Sequence, residues 1–442
     1  MPRRHPLRAA TLALLLWLGA CASTPPSTGG AAAVAGGRAA DPADAAIVLV
    51  SIDGFRADAL DPANTPNLVA LAARGIRSEG LIPSFPTKTF PNHFSIVTGL
   101  VPDHHGLVAN NIWDPYREKT FGLGDREAVG DAAWYEGVPL WVTAERHGMA
   151  TAPLFWPGSE APIGGRRPTY WQHYDGDMAY EARVEWVLDR LEGAESDEAG
   201  ESAEGPPVRF ATLYFDAVDT AGHRFGPGAP GTRAAEARVD SMIGRLIDGL
   251  DARSLADRVD VIVVSDHGMS QLSRDRVIFL DDYLDPDSTR VVDWSPVLAI
   301  WPPDDTGREY DILKGAHPHL HIYRPDEIPA RYGFGENDRV APVVGIVDPG
   351  WSLTTHAYFD RNPERFDGGN HGYDQDSEDM RALFVAAGPS FRQGVVAAPF
   401  PNVDVYELMM RILRLPPEPG DGRLDRVAPL LVPTAAPVPA GR

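Results

Sequence analysis

Four short apolar runs, each with the length and β-branched content of a buried strand, divide this chain: 47–52, 210–215, 259–264 and 383–387. Helical patterns lie between them, at 65–74, 180–191 and 232–250. Apolar strands that alternate with helices are typical of a mostly parallel sheet with helices on both faces. The sequence therefore predicts an α/β fold.

Polar motifs follow three of these runs directly. Asp53 follows the first, Asp219 and His223 follow the second, and the third is followed by Asp266 and His267. Because the carboxyl ends of parallel strands meet at one edge of a sheet, these side chains can converge. Carboxylates and imidazoles together suit zinc, and several anionic oxygens can hold two ions close together.

Each motif also has an ordinary interpretation. An Asp-Gly pair after a strand is usually a turn, and Asp219 with His223, four residues later, could be a capping pair. A fourth motif, 369–374, supplies another imidazole, His371. Four such motifs in one chain favour a metal site over four unrelated turns.

The composition describes a globular protein with a strongly acidic surface. Of the 442 residues 43% are hydrophobic and 23% charged, and the formal net charge is −22. Binding of a DNA or RNA polymer is not expected, since it needs clustered Lys and Arg. A small anionic substrate could still be attracted by bound divalent cations.

The domain organisation follows from the rhythm of strands and helices. We predict one catalytic domain over 46–415, with an inserted subdomain at about 303–369, where the alternation is lost. The Pro-rich segment 416–442 is predicted to be loosely ordered.

The N-terminus is typical of an exported lipoprotein. Arginines precede a short apolar run, and the quartet 18–21, Leu-Gly-Ala-Cys, resembles a lipobox. We expect a signal peptide over 1–20, lipid on Cys21 and a flexible tether over 21–45. Cys21 is the sole cysteine, and Ala22 after it favours the outer membrane, on the periplasmic side. The alternative is a plain signal peptide cut near Ala22.

A nucleophile candidate lies in the segment 83–94, PSFPTKTFPNHF. Pro91 suits an early helix position, with Thr89 or Phe90 at the cap. A hydroxyl there meets unpaired backbone N–H groups, which favour an alkoxide and a phosphoryl oxygen. By chemistry alone, Thr87 and Ser84 are rivals, and Lys88 could either steer phosphate or be a solvated charge.

Together these motifs resemble the nucleotide pyrophosphatase/phosphodiesterase family of the alkaline phosphatase superfamily, over about 47–389. The resemblance implies an alkaline-phosphatase-like core and two zinc ions. One ion would be held by Asp53, Thr89, Asp266 and His267. The other would be held by Asp219, His223 and His371.

The same resemblance assigns residues around the substrate. Asn110 would contact a phosphoryl oxygen, with Asn111 an adjacent competitor, and Phe90 and Tyr174 would stack on a nucleobase. Trp156 and Pro157 resemble pocket-lining positions. Glu160 does too, although the family often has aspartate there.

The activity implied is hydrolysis of nucleotide phosphodiesters and phosphoanhydrides, such as NTP to NMP and pyrophosphate, through a covalent threonine intermediate. Two alternatives stay open: a phospholipid or choline-type phosphodiesterase on the same core, and a lipid-anchored metal-binding protein without catalysis. In the first, Trp156, Tyr174 and Glu160 would form an aromatic cage around choline.

Overall fold

The apolar runs form the centre of a large sheet in the structure, a computed structural model that describes residues 45–196, 202–204, 206–304 and 306–433. Two larger sheets are built from strands β1 to β11, which are, in order, Ala46–Ile52, Ile76–Ser78, Thr151–Pro153, Phe210–Phe215, Val259–Val264, Arg290–Asp293, Val297–Trp301, Leu320–Tyr323, Val343–Val347, Phe384–Ala387 and Val395–Ala397.

The central sheet has seven strands in the order β11-β2-β10-β5-β1-β4-β3. Strands β5, β1 and β4 are neighbours and run parallel. Only β10 runs against its neighbours among the described strands of this sheet. The predicted strand at 383–387 is thus present but reversed, because the chain enters it from the edge where the parallel strands end.

Helices α1 to α12 of the described ranges are, in order, Pro66–Arg74, Thr89–Thr98, Pro102–His105, Arg126–Gly130, Leu140–Arg146, Tyr180–Glu192, Ala217–Phe225, Pro230–Ala252, Arg308–Leu313, His356–Arg361, Asp404–Leu413 and Leu424–Val427. The three predicted helices correspond to α1, α6 and α8.

Alternate residues of β1 point into two different cores, as the period of a strand requires. Ile47 and Leu49 pack in one core with α2, α5 and α11. Val48 and Val50 pack in the other with α1, α6 and α8. The sheet is therefore covered by helices on both faces, as predicted.

A second, antiparallel sheet, which we call the accessory sheet, has the order β6-β7-β9-β8. It carries much of the region predicted as an insertion but begins at Arg290, earlier than residue 303. Its strands are short, and their composition is similar to that of the rest of the chain. The sequence therefore does not show where this sheet begins.

Short strand pairs complete the fold: Leu81–Ile82 with Phe400–Pro401, Asn111–Asp114 with Lys119–Gly122, Ala194–Ser196 with Ser202–Glu204, Ser270–Gln271 with Gly369–Asn370, and Val277–Phe279 with Ser352–Thr354. In the described ranges, no helix is both long and apolar enough to cross a bilayer. The predicted signal peptide and nearly all of the predicted tether lie outside those ranges.

The C-terminal segment is better packed than predicted. Val427 and Leu430 are buried, and Leu431 forms a β-bridge with Phe391. Apolar residues of 427–431 thus pack into the core, whereas most residues of 416–426 are exposed, so only the end of this segment differs from the loosely ordered tail that the sequence suggests. The rest of the tail lies outside the described residues.

Candidate active site

The polar motifs after β1, β4 and β5 meet at one edge of the central sheet, as predicted. Ligand atoms of Asp53, Asp219 and His267 all lie within 4.8 Å of one another. Asp53 directly follows β1, Asp219 lies in the first turn of α7 after β4, and His267 follows β5. Neighbouring parallel strands therefore bring together groups that are between 48 and 214 residues apart in sequence.

A second group joins the first through Asp219. The Nε2 atom of His223, one turn further along α7, lies 3.5 Å from Asp219 Oδ1. The Nε2 atom of His371 lies 3.6 Å from the same oxygen. These three residues match the second predicted ligand set, and Asp219 is shared between the two groups.

The three imidazoles share one pattern of contacts. In each ring Nδ1 contacts a backbone carbonyl oxygen: Gly369 for His223 at 3.0 Å, Gly268 for His267 at 2.9 Å, and Thr87 for His371 at 3.0 Å. A proton on Nδ1 leaves the lone pair of Nε2 free to bind a metal ion, and the contact with the carbonyl oxygen fixes the orientation of the ring. All three Nε2 atoms lie near the carboxylates.

The carboxylates fit a cation. One oxygen each of Asp53, Asp219 and Asp266 is buried with no hydrogen-bond partner among the described residues. Burial raises the pKa of Asp53 well above its ordinary value, and the charges of Asp266 and Asp219 raise it further. Burial also raises the pKa of Asp219. Such crowded, unpaired anionic oxygens suit divalent cations.

Asp266 differs electrostatically from the other two. Burial opposes its charged form, but His267 and His93 outweigh that effect and lower its pKa. Its Oδ2 atom lies 3.0 Å from His267 Nε2, and its Oδ1 accepts a hydrogen bond from Gly54 N at 3.2 Å. Asp266 therefore stays ionised in the centre of the cluster.

Thr89 is the first residue of α2, one position beyond the N-cap, which is Lys88. Its Oγ1 atom lies 3.5 Å from His267 Nε2, so the hydroxyl faces the carboxylate and imidazole cluster. The predicted cap at Thr89 or Phe90 is wrong by one residue. The positive end of the helix still lies beside the hydroxyl.

The rival hydroxyls are used elsewhere. Thr87, fully buried, donates to the carbonyl oxygen of Tyr373 at 3.0 Å and accepts from Gly372 N at 3.0 Å. Ser84 donates to Asn402 Oδ1 at 2.9 Å. Both side chains brace loops instead of facing the cluster.

Asn110 lies next to Thr89, whereas Asn111 does not. Asn110 Oδ1 accepts a hydrogen bond from the backbone N of Phe90 at 3.0 Å, which turns its amide group toward the start of α2. Asn111 is exposed and begins the strand Asn111–Asp114. Of the two competitors, Asn110 is the one that the fold places at the nucleophile candidate.

Comparison with known proteins agrees with this arrangement. The model of the type I phosphodiesterase / nucleotide pyrophosphatase family matches residues 47–374. The chain belongs to this family. The family chemistry makes it a hydrolase of the phosphodiesterase and nucleotide pyrophosphatase type, and candidate metal-binding groups are present among the described residues.

Relatives support the assignment over most of the chain. Bis(5'-adenosyl)-triphosphatase ENPP4 of Bos taurus is 37% identical over 388 residues, which cover 87% of this chain and 82% of that protein. Human ectonucleotide pyrophosphatase/phosphodiesterase family member 5 is 34% identical, covering 87% of this chain and 78% of its own.

A solved structure of an inactive threonine-to-alanine variant of murine ENPP5 in complex with AMP superposes with a TM-score of 0.81 at 35% identity. The superposition covers 88% of this chain and 100% of the murine chain. The fold is therefore the alkaline-phosphatase-like core of this family, as predicted.

The aromatic residues divide into two groups. Phe90 is partly exposed beside Thr89 and contacts Phe121 edge to face, with the ring centroids 5.5 Å apart. Tyr174 is 39% exposed and packs on Phe155. Both rings therefore keep accessible surface that a ligand could contact.

Trp156, by contrast, lies in the core. It is 1% exposed, and its Nε1 donates to the carbonyl oxygen of His93 at 2.9 Å. The prediction that it lines the substrate pocket is wrong, because a side chain this buried offers no surface to a ligand. Its ring instead packs edge to face against His93, whose centroid lies 4.9 Å away.

Two further residues contact this site, and the sequence predicted no role in it for the first, Tyr214. Tyr214, in β4, donates its hydroxyl to Asp53 Oδ2 at 2.6 Å. His93 joins a group with Asp53 and Asp266, but its nitrogens already contact Ser51 Oγ and the carbonyl oxygen of Thr89, both at 2.8 Å. His93 thus braces the nucleophile turn.

Proposed function

We propose that this protein hydrolyses nucleotide phosphodiester and phosphoanhydride bonds through a covalent intermediate on Thr89, with two zinc ions bound. The observation that carries the proposal is the position of Thr89 Oγ1 at the start of α2, 3.5 Å from His267 Nε2. The relatives agree with it: one is a bis(5'-adenosyl)-triphosphatase, and another is inactive as a threonine-to-alanine variant and binds AMP.

The donor set suits two ions. Asp53, Thr89, Asp266 and His267, which lie together around His267 Nε2, would hold one ion, and Asp219, His223 and His371 the other. Imidazole nitrogens with carboxylate oxygens are typical of catalytic zinc. Zinc bound there supplies Lewis acidity, which lowers the pKa of a nearby hydroxyl or water and offsets charge on phosphoryl oxygens.

The chain's own groups then define two displacements. Thr89 Oγ1, after passing its proton to solvent, forms a bond to phosphorus while the bond from phosphorus to the leaving oxygen breaks, and that oxygen departs with the electron pair and takes up a proton from solvent where its pKa requires one. The amide NH₂ of Asn110 is free to donate to a non-bridging oxygen, because its Oδ1 is held by Phe90 N. Water then cleaves the bond between Thr89 and phosphorus, so the configuration at phosphorus is retained overall.

The site favours diesters over monoesters. Asn110 is neutral, whereas the additional negative oxygen of a monoester would call for a cation, so a diester monoanion is the better match. Phe90 and Tyr174 offer aromatic faces to a nucleobase, and each stacking contact is worth about 1–3 kcal/mol without regard to the base.

The choline alternative is weaker, because its carboxylate is already engaged. Glu160 is 6% exposed and contacts His173 Nδ1 at 2.6 Å and Tyr174 N at 2.9 Å. Trp156 is in the core. Of the predicted cage, only Tyr174 keeps an accessible ring.

The substrate class is tested by comparing kcat/KM for a nucleotide ester, p-nitrophenyl phosphate and glycerophosphocholine, with bis(5'-adenosyl) triphosphate added to the panel. We expect a nucleotide to be best by a wide margin. Phe90→Ala should lower kcat/KM for nucleotides roughly 10-fold, the loss of one stacking contact, while p-nitrophenyl phosphate is little affected.

The matched control is Tyr116→Ala, which removes a ring that is 79% exposed. This variant should leave the ratios of kcat/KM between the substrates unchanged. A choline ester that outperforms every nucleotide, or a Phe90 variant with no selective effect, would refute the proposed substrate class.

We further propose that the protein is a lipoprotein on the periplasmic side, anchored through Cys21 and sorted to the outer membrane. Cys21→Ser should abolish labelling by radioactive palmitate and leave a precursor that is soluble or uncleaved, because lipid transfer needs the thiol. Labelling that persists in this variant would rule out Cys21 as the anchor.

A further inference from the structure

The residue before the nucleophile candidate is tied to the accessory sheet. Lys88 Nζ forms an ion pair with Asp293, the last residue of β6, and the two side chains are only 6% and 10% exposed. Asp293 Oδ1 accepts from Trp294 N at 3.0 Å, which fixes the carboxylate. Lys88 is therefore neither a solvated charge nor free to steer phosphate.

A second buried cation brackets Asn110. Arg339, which precedes β9, donates from Nε to Asp114 Oδ2 at 3.0 Å, and both side chains are 7% exposed. Its Nη1 donates to the carbonyl oxygen of Gly106 at 3.0 Å. Gly106 and Asp114 each lie four residues from Asn110, so Arg339 holds this segment on both sides.

A buried ion pair contributes little to the stability of a fold, because the cost of removing both charges from water offsets most of their attraction. Its directional contacts can nevertheless fix the relative position of the two elements that it joins. Asp293 joins the accessory sheet to the residue before Thr89, and Arg339 joins the loop that leads into β9 to the segment around Asn110. Apolar contacts could join the same elements. Charged groups at these places are best explained if they fix the positions of Thr89 and Asn110.

We propose that the accessory sheet and the loop leading into its strand β9 support catalysis: Asp293 and Arg339 are positioning residues that hold Thr89 and Asn110 at the separation the reaction requires. This inference rests on the proposed roles of Thr89 and Asn110. It assigns a catalytic purpose to a sheet that supplies none of the predicted metal ligands.

The test uses Asp293→Asn and Arg339→Lys in the zinc-loaded, full-length protein. Each should lower kcat for the best nucleotide about 10- to 100-fold, the cost of a small misplacement of reacting groups, with KM within about threefold and zinc content unchanged. The matched control is Asp240→Asn, a buried carboxylate in α8 that accepts from Leu68 N at 2.8 Å. It should lower the melting temperature but not kcat.

Orthovanadate binding, measured by calorimetry, provides a readout that does not need turnover. Vanadate can occupy the place of a transferring phosphoryl group, so Asp293→Asn should weaken it about 10-fold or more. If the wild type hydrolyses no nucleotide yet binds vanadate in this pattern, the proposed function fails and the positioning role stands. Wild-type kcat and vanadate affinity in both variants would overturn the inference.

If Asp293→Asn does not fold, the double variant K88M/D293L removes both charges and leaves neither stranded. Reduced kcat in a folded double variant supports positioning. Full kcat there would show that any apolar contact suffices, and the inference would be wrong.

Discussion

Replacing Thr89 by alanine should reduce nucleotide hydrolysis by roughly four or more orders of magnitude, because loss of a covalent nucleophile removes the whole pathway. The hydroxyl is partly exposed at the start of α2, so its removal leaves no cavity in the core. We therefore expect the melting temperature to stay within a few degrees of the wild type and most of the bound zinc to remain.

Thr89→Ser is the matched control, since it keeps the hydroxyl and loses one methyl group. It should retain measurable turnover, well above that of Thr89→Ala. Both rates should be measured on protein checked for zinc content and melting temperature. Near-normal turnover by folded, zinc-loaded Thr89→Ala would move the nucleophile elsewhere.

The second large effect is expected from the metal ligands. Asp219→Ala and His371→Ala should each lower zinc content and turnover together, by roughly 100-fold or more in rate, because each removes a direct ligand. Asp219 should have the larger effect, since its carboxylate lies close to Asp53 and His267 as well as to His223 and His371. Metal analysis on dialysed protein, paired with kcat/KM, measures both quantities.

His356→Ala is the matched control for these variants. His356 is an exposed histidine bound to a carboxylate, Asp282, at 3.0 Å, outside the predicted site. Its removal should change neither zinc content nor rate. Unaltered zinc content in both Asp219→Ala and His371→Ala would contradict the ligand assignment.

The strands and the motifs after them were predictable because each depends on local pattern. The bounds of β4 and β5 agree with the sequence, and Asp53, Asp219 and His267 lie together because parallel strands end at the same edge. The direction of β10 depends on the edge of the sheet at which the preceding loop ends, and no local sequence pattern indicates that edge.

Contacts at long range account for the remaining differences. Trp156 matches a pocket-lining position of the family, and only its burial against α2 shows that it packs in the core instead. The hydrogen bond from Tyr214, in β4, to Asp53, the residue after β1, joins positions 161 residues apart in sequence. Asn110 and Asn111 are adjacent and identical in type, so only the fold shows that it is Asn110 whose side chain contacts the backbone of Phe90.

The central claim is most directly tested by trapping the covalent intermediate. The zinc-loaded enzyme is mixed with excess bis(5'-adenosyl) triphosphate or ATP, quenched in acid within milliseconds, digested and sequenced by mass spectrometry. We predict a nucleotidyl adduct on Thr89, formed within one turnover and missing from Thr89→Ala. Full turnover with no adduct on Thr89 at any quench time, or an adduct on another residue, would contradict the account.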